Sequence, residues 1–207
     1  LSAEVNVEGE WYQLDAAGGG TSVTLPVDTN GNRIWDTWEK NTGIWGQPAS
    51  ADLDPTPDGT HAGDGFSNFE EYRGFMVGTD WLSTDPLQKN LFVYDANGLG
   101  LGDFGASGVI TYLIDQQQFD RNRVVNFNRG YASAGAQKGL RLEDYALARP
   151  GELGRVSPGV GTPNQVEHVY IDTVELSSEP GEAFDSTVAH ELGHAVSIEH
   201  HGTWTEG

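Results

Sequence analysis

Residues 185–202 read DSTVAHELGHAVSIEHHG, and this stretch is the strongest helix prediction in the 207-residue chain. Asp185 or Ser186 can act as the N-cap, and Glu191 is the only charged residue between 187 and 198. Two residues four apart on a helix differ by about 40° in azimuth and by one turn in height. His190 and His194 therefore direct their imidazoles to one place, where they can hold zinc. Glu191 lies beside them without being needed as a ligand.

A third zinc ligand has to come from beyond this helix. On an unbroken helix His200 would lie about 240° around from His194 and about 9 Å further along the axis. The helix must therefore end between the two residues. We expect zinc at His190, His194 and His200, with His201 and Glu199 as the competing third ligands.

The segment HELGHAVSIEH at 190–200 resembles the motif H-E-x-x-H-x-x-G-x-x-H of the metzincin zinc proteases, with Ser197 where the family has Gly. The family's Gly turns the chain so that the third His returns to the metal. A serine can adopt the same left-handed conformation at a cost of about 1 kcal/mol. Ser197 could therefore make the turn that the motif needs.

The resemblance covers roughly residues 87–207 and is to the secreted bacterial type of metzincin. It implies a mixed sheet with a zinc-binding active-site helix, and a polypeptide substrate that pairs with an edge strand. It also implies that zinc polarises the scissile carbonyl while Glu191 acts as general base on a zinc-activated water and then as general acid. The family has a Met-containing turn downstream of the third ligand, whereas the single Met here is Met76. The protease-like domain is therefore expected to be incomplete at its C-terminal end, with Trp204 as an unusual floor of the zinc site as the alternative.

The segment DTNGNRIWDTWE at 28–39 has the spacing of an EF-hand calcium loop. Oxygen ligands fall at positions 1, 3, 5, 7, 9 and 12, where position 7 offers a backbone carbonyl: Asp28, Asn30, Asn32, Ile34, Asp36 and Glu39. Arg33 occupies position 6, where Gly is usual. The loop resembles the short calcium repeats of dockerins and thrombospondin type 3 segments. It predicts a first calcium site, with an ion-free cluster of Asx turns as the alternative.

A second acidic stretch, DLDPTPDGTHAGDGFSNFEEY at 52–72, is less regular. Counted backward from Glu71 at position 12, the usual ligand positions 1 and 3 fall on Thr60 and Ala62, so an upstream Asp has to fold in. The residues of the predicted second calcium site are Asp52, Asp54, Asp58, Asp64, Phe66, Asn68 and Glu71. The alternative is a solvated acidic loop.

Composition narrows the classes of partner. The chain has 31 acidic and 11 basic residues and a net charge of −20, so nucleic acid and anionic membranes are disfavoured as partners. No run of 18 apolar residues predicts a transmembrane helix. The chain has no cysteine, so His and carboxylates must supply any metal ligands. Weak calcium loops suit millimolar extracellular calcium, which indicates secretion.

The predicted fold class is α+β, in three parts. Residues 1–27 form a β segment or the tail of a preceding domain, 28–86 a calcium-binding loop region, and 87–207 the metalloprotease-like domain. Strands are predicted at 90–95, 108–115, 123–128, 138–145 and 166–176, although 108–115 also suits a helix, and a long loop is predicted at 146–165. Residues 138–145 are the candidate for the substrate-pairing edge strand. The chain begins at Leu1, which suggests a processed or truncated product with further domains on either side.

Two functional classes fit these patterns. The first is a secreted, calcium-stabilised zinc endopeptidase. The second is a non-catalytic extracellular interaction or surface-fibre module that retains a protease-like zinc site. Adaptation to high salt is a third explanation of the acidic charge alone. The oligomeric state is left open by the sequence.

Overall fold

The computed structural model describes the strands at 3–7 and 10–14 and residues 26–54, 63–119, 139–161, 165–181 and 183–199. The two N-terminal strands, β1 (Ala3–Val7) and β2 (Glu10–Leu14), pair antiparallel, which confirms the prediction of short strands in 1–27. Two short helices follow, α1 (Asp36–Thr42) and α2 (Asn68–Arg73). The hairpin β3 (Phe75–Val77) and β4 (Asp80–Leu82) comes next.

A five-stranded mixed sheet forms the centre of the fold. Its strands are β5 (Asn90–Asp95), β6 (Ile110–Leu113), β7 (Leu140–Asp144), β8 (Gly154–Ser157) and β9 (His168–Ile171). They lie in the order β6-β5-β7-β9-β8. The pairs β5–β6, β5–β7 and β7–β9 are parallel, and β8 pairs antiparallel with β9. This mixture of helices and a mixed sheet is compatible with the predicted α+β class.

Helical elements complete the described part of the chain. A 3₁₀ helix spans Gly102–Ala106, and α3 (Gln116–Phe119), α4 (Thr173–Leu176) and α5 (Ala183–His194) follow in order. Helix α5 packs against β8, β9 and the 3₁₀ helix. Within the described ranges, no helix combines the length and the apolar character needed to span a bilayer.

The sheet is buried on two faces because alternate side chains of a strand point to opposite sides. Leu91 and Val93 of β5 join the apolar cluster that Val188 and Leu192 of α5 complete. Phe92, between them, joins Phe66, Phe75 and Ile114 in a second cluster. The second cluster packs the predicted calcium region (28–86) directly on the central sheet.

Some predicted elements differ from those observed. Residues 138–145 were expected to provide an edge strand, but β7 lies between β5 and β9, so that prediction is wrong. The loop predicted at 146–165 contains the edge strand β8, which has little apolar sequence signal because Val156 is its only buried residue. Residues 123–128 lie outside the described residues.

Two predicted elements have different boundaries in the structure. The predicted strand at 166–176 ends at Ile171, because the Asp172 side chain accepts a hydrogen bond from Glu175 N and caps α4. Helix α5 begins at Ala183, so Asp185 and Ser186 lie inside it and are not its N-cap. The ambiguity at 108–115 is resolved as a strand, β6, at Ile110–Leu113.

Candidate metal centres

The last turns of α5 bring two imidazoles together. His190 Nε2 and His194 Nε2 are 3.1 Å apart. Two nitrogen ligands of a tetrahedral zinc, each about 2.0–2.1 Å from the metal, would be about 3.3 Å apart. The separation of the two side chains therefore fits a shared zinc ion, as the helical spacing predicted.

The chain immediately after α5 orients the second of these imidazoles. His194 Nδ1 lies 2.5 Å from the carbonyl oxygen of Ile198, so Nδ1–H donates to it and Nε2 keeps its lone pair for a metal. Ser197, between them, has φ +70°, and Ile198 N donates to Gly193 O. The serine thus adopts the left-handed conformation in which the resembling motif has Gly, and the helix end predicted between His194 and His200 is confirmed.

Glu191 is buried beside the two histidines, with 7% of its surface exposed. Burial raises its pKa to about 7, and the negative charge of Glu152 adds to the effect. The carboxylate lies against Gly154, where an added Cβ would lie only 2.8 Å from Glu191 Oε1. The position of Glu191 therefore depends on the absence of a side chain at residue 154.

The edge strand β8 and the loop that follows it border the same site. Gly161 N donates to His194 O, and Ser197 N donates to Gly161 O. The backbone after β8 is thus bonded to the end of α5. Sequence reasoning missed β8, Gly154 and Gly161, because short strands and glycines leave no periodic pattern.

Of the three candidates for the third zinc ligand, the structure describes only one. His200 and its competitor His201 lie outside the described residues, and Glu199 is exposed. The structure therefore brings together His190, His194 and Glu191.

The first acidic loop adopts the backbone that its spacing predicts. Asp28 accepts hydrogen bonds from Gly31 N and Arg33 N, and Asn32 Oδ1 accepts one from Ile34 N. Arg33 has φ +72°, so it takes the left-handed conformation that Gly usually provides at position 6.

The side chains predicted as calcium ligands in the first loop make hydrogen bonds within the loop. Glu39 is fully buried, and its carboxylate accepts hydrogen bonds from the side-chain amides of Asn30 and Asn32. The carboxylate of Asp36 accepts hydrogen bonds from the backbone N and the hydroxyl of Thr29.

The second loop brings together residues distant in sequence. Carboxylate oxygens of Asp52, Asp54 and Asp64 lie within 4.8 Å of one another. Asp52 accepts hydrogen bonds from Asp64 N and Gly65 N, and Asp64 Oδ1 accepts one from Phe66 N. Asp52 and Asp54 thus fold in as proposed, whereas Asp58, Thr60 and Ala62 lie outside the described residues.

Burial makes this acidic group electrostatically costly. Burial, followed by repulsion from Asp64 and Asp54, raises the pKa of Glu71 to about 10. Burial and neighbouring carboxylates also raise the pKa values of Asp54 and Asp64. Such a cluster needs either protons or a cation to neutralise it.

Comparisons with protein-family models, curated proteins and solved structures find no match to this chain.

Proposed function

We propose that this chain is a zinc endopeptidase of the metzincin type. The observation that carries the proposal is the pair of imidazole nitrogens 3.1 Å apart beside a buried carboxylate, all on one helix that ends in a left-handed turn. The donor set fits the metal because two neutral imidazoles suit zinc. His200 is the proposed third ligand because the chain reverses at Ser197.

Zinc held there would supply a Lewis acid, which polarises a carbonyl and makes a water more acidic. Glu191 would accept the proton of the attacking water and deliver it to the leaving amine. Val188 and Leu192 of the same helix are buried in the apolar cluster, which anchors the helix that carries the carboxylate.

Strand β8 is the proposed docking edge for the substrate. Among the described residues it pairs only with β9, so we propose that an extended peptide adds as a further strand along its other side. Residue 154 at the start of this strand touches Glu191, so a peptide bound along β8 would pass the catalytic carboxylate. This replaces the earlier candidate at 138–145, whose strand has neighbours on both sides.

The proposal is tested by Glu191→Gln, which keeps the shape of the side chain but removes the base. Hydrolysis of an unstructured protein substrate should fall by at least about 10²-fold, while bound zinc and melting temperature stay near those of the wild type. Glu179→Gln, at an exposed site after α4, is the matched control and should keep full activity. His200→Ala should lower zinc content far more than His201→Ala.

Two results would contradict the proposal. Zinc-loaded wild-type protein that cleaves no unstructured substrate, under conditions where another zinc protease does, would favour the interaction module. A larger loss of zinc in His201→Ala than in His200→Ala would overturn the ligand assignment.

A further inference from the structure

The second acidic loop matches the ligand positions of an EF-hand calcium loop if residues 55–62 are treated as an insertion and are not numbered. Asp52 and Asp54 take positions 1 and 3, and Gly63 resumes the count at position 4 after the segment 55–62. Positions 5, 7, 9 and 12 are then Asp64, Phe66, Asn68 and Glu71. Gly65 at position 6 has φ +89°, as this position requires.

The hydrogen bonds support this numbering. In both loops the residue at position 5 accepts from the backbone N of position 7: Asn32 from Ile34, and Asp64 from Phe66. In both loops the Asp at position 1 accepts from the backbone N of position 6. The second loop thus has the same local backbone arrangement as the first, with an insertion after position 3.

Within the part of the chain that the structure describes, several oxygens of the second loop are buried without a hydrogen-bond partner. They are both carboxylate oxygens of Asp54, Asn68 Oδ1 and Glu71 Oε2, and all three side chains are fully buried. The amide of Asn68 donates to Pro48 O, which fixes its orientation and leaves Oδ1 as the free acceptor. Buried oxygens left unpaired cost free energy that a bound cation would recover.

We propose that this interrupted loop is a calcium site, formed by the side chains of Asp52, Asp54, Asp64, Asn68 and Glu71 with the carbonyl of Phe66. All the donors are oxygens, and four are carboxylates, which suits a hard divalent cation rather than zinc. Six residues with a bidentate Glu at position 12 match the six to eight ligands that calcium takes. Magnesium usually keeps several waters and is less suited to such a set.

We expect the first loop to bind calcium less tightly, since its buried Glu39 accepts hydrogen bonds from the side chains of Asn30 and Asn32, which a bound ion would have to displace. In the second loop, by contrast, three groups have oxygens that no described residue pairs with. The tighter calcium binding therefore belongs to the loop whose sequence is less regular.

Calcium in the second loop would also link that region to the central sheet. Asp64 Oδ2 accepts a hydrogen bond from the backbone N of Asn90, the first residue of β5. Glu71 Oε1 accepts one from Thr84, and Phe66 packs edge-on against Phe92. Ligands of the ion are thus in direct contact with the segment that leads into β5 and with β5 itself.

The test is calorimetric titration of calcium chloride into the full chain, stripped with EGTA and reloaded with zinc. Glu71→Gln and Asp54→Asn should each weaken the tightest binding event by about tenfold or more, because each removes a charged ligand. Glu39→Gln, the matched change at position 12 of the first loop, should leave that event unchanged. Equal calcium affinity in the wild type and both second-loop variants would overturn the proposal, as would loss of the tight event in Glu39→Gln.

Thermal melting of Asp54→Asn provides a second readout that does not depend on Glu71→Gln folding. Without calcium, this variant should melt above the wild type, because one of three crowded carboxylates is neutralised. With calcium it should gain less stability than the wild type. A purely structural Asp54 predicts the opposite: a lower melting temperature without calcium and an unchanged calcium response, and that result would also overturn the proposal. Neither readout involves peptide hydrolysis, so both are independent of the protease assignment.

Discussion

Replacing Ser197 tests whether the left-handed turn after α5 orients the imidazole of His194, a proposed zinc ligand. Ser197 has φ +70°, a conformation that costs a non-glycine residue about 1–2 kcal/mol. Ser197→Gly removes that cost but adds about 0.5–1 kcal/mol of entropy lost on folding. The free energy of unfolding should therefore rise by about 0–1.5 kcal/mol.

Ser197→Val should act in the opposite direction. A β-branched side chain is strongly disfavoured at positive φ, and Ser197 is buried, so we expect a loss of about 1–2 kcal/mol. For a chain of this size that corresponds to a decrease of about 2–8 °C in melting temperature. Ser186→Val, on the exposed face of α5, is the matched control and should melt close to the wild type.

Thermal melting followed by circular dichroism measures the stability, and competition with a chelator measures zinc affinity. The turn places Ile198 O on His194 Nδ1, so Ser197→Val should also weaken zinc binding by about 10–100-fold. Ser197→Gly should bind zinc like the wild type. If Ser197→Val matches the wild type in both stability and zinc affinity, the turn does not position His194.

Two further predictions concern Glu191 and the acidic loop. Gly154→Ala should reduce peptide hydrolysis more than it reduces stability, because the added Cβ displaces the flexible Glu191 side chain; unchanged kcat/KM would contradict the contact. Calcium-free protein should lose stability as pH rises from 5 to 8, since the folded pKa values of Asp54, Asp64 and Glu71 lie above their unfolded values. Millimolar calcium and the Glu71→Gln substitution should each flatten that slope in a melting series, and a flat calcium-free profile would refute it.

Local geometry in this protein follows from sequence spacing. The i, i+4 separation of His190 and His194 is enough to direct both imidazoles to one point, because helical period is a property of the backbone. The helix end before His200 was likewise predictable, since an unbroken helix would carry that residue away from the other two histidines. The turns of the first acidic loop depend on side chains that bond backbone groups a few residues away.

The order of the strands could not be predicted in this way. The segments 138–145 and 154–157 are both short, and the sequence of neither one indicates how many strands pair with it. Whether a strand lies at an edge depends on hydrogen bonds to residues distant in sequence, such as those that pair β8 with β9 and β7 with both β5 and β9. Which strand has a free edge, and hence where we propose that a substrate docks, could therefore be read only from the tertiary structure.

The second acidic loop shows the same division. Its residues 63–71 and the pair Asp52 and Asp54 are visible in the sequence, but the segment 55–62 between them hides their common numbering. Folding brings the three Asp carboxylates within 4.8 Å of one another and buries Asp54, Asn68 and Glu71 completely. Sequence determined which oxygen-bearing side chains were available for a cation. Tertiary packing decided which of these oxygens became buried without a hydrogen-bond donor in place of water, because burial depends on neighbours brought in from elsewhere in the chain.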